Sequence, residues 1–296
     1  MKRKIVQHGS TSLTITLPMK WVKKNRIKRG DEVSAEGEGR TLTITAGSPS
    51  ATLRKKVEID EQGIFTKNDV SHLYHLGYDE IEVTFNDAQD IKDIRERLPN
   101  CIGYDITDQK SHTLLIQSIA SQIDIDFDTF LRKSFLITLE MAKGIIESLK
   151  NHDELDPFIQ METLNNKFTD VCIRILHKKG HAKEDRIMEI HDVVKNIERV
   201  ADEVKAIAVL IKEKKAAVSI TPLEQCTEFF ERFYKLFYTF NGKAKQQMYQ
   251  DRTRLKKQFS EALEKAKGAE SLYYHHCLSI IEKTYDAANA YYAFIL

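Results

Sequence analysis

Cysteine is sparse in this sequence. Its four copies, Cys101, Cys172, Cys226 and Cys277, are widely separated and form no C-x-x-C pair. That spacing argues against a zinc ribbon or a disulfide framework and leaves buried thiols in a reducing compartment. Long apolar runs are also missing, so no bilayer-spanning helix is expected. Lys2-Arg3-Lys4 is not followed by an apolar segment, which speaks against a secretory signal. The expected setting is cytoplasmic, without membrane insertion. Walker loops, G-x-G-x-x-G and any nucleophile–base–orienter set are absent as well, so catalysis is not expected.

Net charge is nearly absent too, at +1 over 296 residues, but that balance hides an asymmetry. Residues 1–50 hold ten Lys/Arg against four acids, a charge of +6, and the remainder is −5. A basic piece on an acidic body points to a polyanionic partner for the piece alone.

Proline and glycine are few, and they punctuate. Ala46-Gly47-Ser48-Pro49-Ser50 reads as a linker. Before it, Leu13, Ile15 and Leu17 alternate with Ser12, Thr14 and Thr16, the period of a half-buried strand. Pro18 suits the first turn of a short helix that Asn25 ends. Gly30-Asp31 and Gly37–Gly39 turn the chain into two further strands, Glu32–Ala35 and Thr41–Ile44. So small a unit buries little surface alone and is expected to complete its core with a second copy. Residues 51–121 read as a βαβαββ module, ferredoxin-like or related, with Thr66 as a helix cap. Residues 126–296 read as about six helices, near 127–150, 158–179, 182–214, 221–248, 252–267 and 270–294. In the third, Ile187, Ile190, Val194, Ile197, Ala201, Val204 and Ile207 recur at three or four. Short turns between long helices predict a bundle of antiparallel neighbours. The expected fold class is multidomain α+β, with domains 1–47, 51–121 and 126–296. The last divides into three-helix halves, 126–214 and 221–296.

Four segments in order carry a family resemblance: Gly9-Ser10-Thr11-Ser12, Thr16 to Val22, Ile27 to Val33, and Leu42-Thr43-Ile44. With that spacing, roughly residues 3–46 resemble the swapped-hairpin domain of the AbrB/MazE/SpoVT family of DNA-binding proteins. The resemblance implies an intertwined homodimer in which each subunit gives a hairpin to a shared β-barrel. It also implies double-stranded DNA as partner, held by basic residues of the first strand, the loop and the short helix. Physical chemistry agrees, since Lys and Arg neutralise phosphates and release counterions. The candidate contacts are Arg3, Lys4, Lys20, Lys23 and Lys24, with Ser10 and Ser12 beside them. Lys28 and Arg29 stand equally as contacts or as a solvated turn, and Trp21 with Val22 reads as the helix's apolar side.

A second pattern lies in the helices. Ile197-Glu198-Arg199-Val200-Ala201-Asp202 and Ile281-Glu282-Lys283-Thr284-Tyr285-Asp286 share I-E-[RK]-x-x-D, each on the third helix of its half. This internal repeat resembles PhoU, the phosphate-uptake regulator family, whose helices carry E-x-x-x-D motifs. Carboxylates at i and i+4 share a helix face, and two such pairs could hold a hard cation or iron. The resemblance implies a metal ion (iron, magnesium or similar) at Glu198, Asp202, Glu282 and Asp286, with Glu162 and Asp170 on the supporting helix. The supporting helices depart from the family pattern, with Asn166 where an acid is expected. The same carboxylates could equally be exposed and pair with Lys195, Arg199 or Lys205. The ten histidines, His177 and His181 among them, read as structural or surface residues.

Together the resemblances imply a dimeric transcriptional regulator of phosphate or other ion uptake, with a PhoU-like sensor or docking domain. The competing reading is a PhoU-like adaptor for a phosphate transporter's ATPase or a signalling kinase, with the N-terminal unit serving only dimerisation. The +6 segment favours the first, because a pure dimeriser needs no such charge.

Overall fold

The structure, a computed structural model, describes residues 3–38, 41–46, 52–59, 67–86, 88–119, 126–181, 184–214 and 218–296. The expected linker at Gly47–Ser50, the turn tip at Gly39 and the cap at Thr66 lie outside these residues. The chain divides into two compact units, Met1–Leu53 and Arg54–Leu296.

The first unit is two hairpins around a short helix. Strands β1 (Ile5–His8) and β2 (Ser12–Ile15) are antiparallel, with Ile5 opposite Ile15 and His8 opposite Ser12. Gly9 supplies the positive φ of 71° at their turn, a conformation that a side chain would disfavour. Helix α1 (Met19–Lys24) follows, with Pro18 at its N-cap. Asn25 ends it, with its side-chain amide donating to the Trp21 carbonyl at 2.9 Å. Strands β3 (Val33–Glu38) and β4 (Thr41–Ala46) pair antiparallel. Among the described residues the two hairpins are separate two-stranded sheets, and one copy shows no closed barrel, a feature expected of two subunits together. The reason is apparent in the exposure of Ile5, Val6, Leu13, Ile15, Met19 and Leu42: one copy has too few strands to cover its own apolar side chains.

The second unit joins a four-stranded sheet to a helical bundle. Its element order is β5 (Arg54–Glu58), α2 (Lys67–His75), β6 (Glu80–Thr84), α3 (Ala88–Arg97), β7 (Tyr104–Gln109) and β8 (Thr113–Ser118). The sheet order is β5-β6-β8-β7, with β5 parallel to β6 and the other pairs antiparallel. A ferredoxin-like unit instead runs β-α-β-β-α-β, so this module is a different topology. Ile81 and Val83 of β6 and Leu114 and Ile116 of β8 are fully buried, as the strand period requires.

Six long helices follow: α4 (Phe127–Asn151), α5 (Asp156–Lys179), α6 (Ile187–Lys214), α7 (Thr221–Tyr238), α8 (Gly242–Lys265) and α9 (Ala269–Ile295). Asp126 caps α4 by accepting from the Thr129 amide at 2.8 Å. The stripe on α6 from Ile190 through Val194, Ile197, Ala201 and Val204 to Ile207 is buried. α4, α5 and α6 pack on one another, as do α7, α8 and α9, and α6 against α9 and α4 against α7 join the two groups. The expected break near residue 250 is displaced: the chain turns at Thr239–Asn241. Asn241 caps α8 by accepting from the amides of Lys243 and Ala244, and that local hydrogen bonding sets the helix start. At Gly144, α4 leaves no room for a side chain, since a Cβ there would collide with the Phe158 ring of α5.

The sheet is tied to the bundle through α5. Arg174 donates to the carbonyls of Tyr74 and Tyr78 at 2.8 and 2.7 Å, and to Asp79 at 2.9 Å. Its guanidinium also lies over the rings of Tyr74 and Tyr104. Sheet and bundle share one hydrophobic core.

Candidate nucleic-acid interface

The β1–β2 hairpin and α1 place the basic candidates at one end. Ile5 opposite Ile15 makes the Lys4 side the open end of the hairpin, where the chain leaves β2 for α1. Arg3 and Lys4 therefore lie at the end from which Pro18 and α1 begin. Lys20, Lys23 and Lys24 follow on α1 at spacings of three and four, which share a helix face. Ser10 lies in the turn at the opposite end, and Ser12 opens β2 beside it, roughly 10 Å along the strands from Ile5 and Ile15. The hairpin thus separates the two serines from the cationic set.

All five basic candidates are exposed. Among the described residues none is in an ion pair, and every ion pair lies at Arg54 or beyond. Trp21 and Val22 are half-buried on the other side of α1. Lys28 belongs to the turn, where its amide donates to the Asp31 carboxylate at 2.7 Å. Arg26, not among the candidate contacts, takes a left-handed conformation at φ 55° directly after the basic helix. The Asn25-Arg26 pair after a lysine-rich turn was the available signal for this reversal. A free cationic surface of this kind can neutralise a row of phosphates.

The carboxylates of the helices are arranged differently. Glu162 on α5 is buried and accepts from Asn166 at 2.6 Å and from the Lys205 ammonium at 2.9 Å. Glu198 on α6 is paired with Lys195. Asp202 is raised from 3.8 to about 6 by loss of hydration and then by the charges of Glu198 and Glu162, although the residue keeps an exposed surface. On α9, Glu282 accepts from Arg252 and from Lys256, both on α8. Asp286 is raised by loss of hydration and by Glu282, against Arg252, Arg199 and Lys256. Asp170 is elsewhere: its carboxylate meets His75 at 2.6 Å and Arg97 at 3.8 Å, beside the sheet.

These residues do not fit the expected metal site. Among the described residues no group of three or more His, Cys, Asp or Glu is placed to hold a metal ion. One oxygen each of Glu162, Glu198 and Glu282 already meets an ammonium or guanidinium group, and the two helical turns between Glu162 and Asp170 point them at different partners. Of the histidines, His75 is held by Asp170 and His276 by Glu203 on α6. Lys283 joins His276 on the same carboxylate, and although burial pushes Glu203 up, the two partners outweigh it and leave the carboxyl lowered.

No helix among the described residues is long and apolar enough to cross a membrane. No curated protein and no solved structure matches the chain, so the PhoU likeness expected for residues 126–296 has no counterpart among the comparisons. One family model does match, over residues 6–52: antidote-toxin recognition MazE, a bacterial antitoxin. By that match, and by its hairpins and basic helix, the N-terminal unit is similar to the AbrB/MazE-type domain.

Proposed function

We propose that this chain is a DNA-binding transcriptional regulator that works as a homodimer. The observation that carries the reading is the unpaired cationic set Arg3, Lys4, Lys20, Lys23 and Lys24 on a unit similar to the AbrB/MazE type. Five unpaired cations lie here within 22 residues, and none of them meets an acid among the described residues. The uncovered apolar side chains of both hairpins support a second copy closing the barrel and doubling the charge. No catalytic step belongs to this reading.

The finer reading links DNA binding to phosphate or ion status through a PhoU-like helical part. Its support is the repeated I-E-[RK]-x-x-D and the layout of six helices as two groups of three. Without a metal set, that signal would act by phosphate or by protein docking and would change the spacing of the two basic patches.

A gel-shift series with duplex DNA across salt tests the proposal. Affinity should fall steeply as salt rises, and Lys20→Gln with Lys23→Gln should flatten the slope by roughly one counterion per lost contact. Absence of binding at low salt, or binding indifferent to those substitutions, would overturn it. The printed description of the matched family favours one other reading, that the chain neutralises a toxin. Stoichiometric recovery of a toxin with the chain, its toxicity suppressed, would support that instead.

A further inference from the structure

The DNA reading leaves the basic helix α8 unused. Residues 242–267 hold eight Lys/Arg against three acids. Where α7 turns into α8, the surface opens into a groove of about 580 Å³. Arg132 of α4 and Arg232 and Lys235 of α7 bring three cations to it, and Tyr234 and Tyr238 bring two rings. No carboxylate is among the residues that line it. The volume falls within the roughly 300–1,000 Å³ of small-molecule clefts.

Arg132 is held in place but not consumed. Its guanidinium lies 5.1 Å from the centre of the Tyr238 ring, and its Nε donates to the Tyr234 hydroxyl at 3.2 Å. Among the described residues its two terminal nitrogens make no hydrogen bond or ion pair. Arg232 gives one terminal nitrogen to Asp251, a buried carboxylate that Arg254 shares. Lys235 reaches Glu231 at 3.5 Å yet stays 69% exposed. Asn241 and Ala244 line the same groove at the start of α8, whose first turn has no acid to offset the helix dipole.

We propose that this groove binds a nucleotide, with its phosphates on Arg132, Arg232 and Lys235 and its base against Tyr234 and Tyr238. A guanidinium fork matches phosphate oxygens two at a time, and the exposed part of the Tyr238 ring, beside Arg132, offers aromatic surface to a planar base. Inorganic phosphate or an acidic peptide would use the cations and leave the rings idle. The site stands apart from the DNA reading, because none of its residues belongs to the N-terminal unit.

Titration calorimetry on the full chain tests it, with ATP, inorganic triphosphate and adenosine as separate probes. ATP should bind saturably, once per chain, at least about tenfold more tightly than either fragment. Arg132→Gln and Tyr238→Ala should each weaken ATP about tenfold or more, and Arg132→Lys should fall between, since it keeps charge but loses the fork. Lys20→Gln with Lys23→Gln should leave ATP binding unchanged. Arg132 is exposed, so melting temperature should confirm that its variants fold. The proposal is overturned by no saturation at about 5 mM ATP, by triphosphate matching ATP, or by loss in the Lys20/Lys23 variant with Arg132→Gln unaffected.

Discussion

At Asp202 on α6, loss of hydration and then the charges of Glu198 and Glu162 raise the carboxyl of the folded chain from 3.8 to about 6. The folded chain therefore binds that proton more tightly than the unfolded chain does. Between those two values stability falls as pH rises, and below them the effect vanishes. Asp202→Asn removes the penalty. Because the residue is exposed, solvent screening reduces it, and a gain in Tm of about 2 °C at pH 7.5, disappearing near pH 3.5, is expected from thermal unfolding at the two pH values. Glu203 has the opposite sign. Its lowered value stabilises the fold above the ordinary carboxylate range and is lost as pH falls through it. Two adjacent carboxylates on one helix thus take opposite roles: both lose hydration, but carboxylates face Asp202 and cations face Glu203. The sequence offered Lys195 as a partner for Glu198, and the pair is found, but it contained no sign that Lys205 would meet Glu162 of a different helix.

Among the elements, the α4–α5 pair and the α5–sheet contact carry the sharpest expectations. Gly144→Ala would gain up to about 1 kcal/mol of helix propensity but drive a methyl into the Phe158 ring. A net loss of about 1–2 kcal/mol is expected, read from denaturant unfolding, because the backbones must separate or the ring must leave its half-buried place. Arg174→Met would remove the donor from two carbonyls and from Asp79. A cost of about 3 kcal/mol is expected, together with faster hydrogen exchange in α2 and β7. Helix spans on either side were legible from apolar period and from Pro157, Pro222 and Gly268. The α7–α8 corner was not, because Lys243 to Tyr249 continue a helical composition and only Asn241, by bonding the next two free amides, decides where the new helix starts.

For the whole molecule, the open hairpins set the expected assembly. Leu13 is 71% exposed in one copy, on a strand whose alternation implies burial. Leu13→Asp should convert a dimer to monomer in light scattering and abolish the DNA shift, while the Arg54–Leu296 unit keeps its helical circular dichroism. A variant that remains dimeric would place the contact between subunits elsewhere.

Local rules determined much of this protein. The strand alternation of residues 12–15, the turns at glycine, the long amphipathic stripe of α6 and the gathering of cations in the first fifty residues all follow from neighbours within a few positions. Tertiary structure alone decided what those residues meet. Asp170 turned to His75 rather than to Glu162's side, Arg174 reached Asp79 across 95 positions, and Arg132 of α4 came to lie over Tyr238 of α7. Such pairings depend on which helix faces which, a choice made by burying the whole apolar core at once, and side-chain period in one helix carries no record of it.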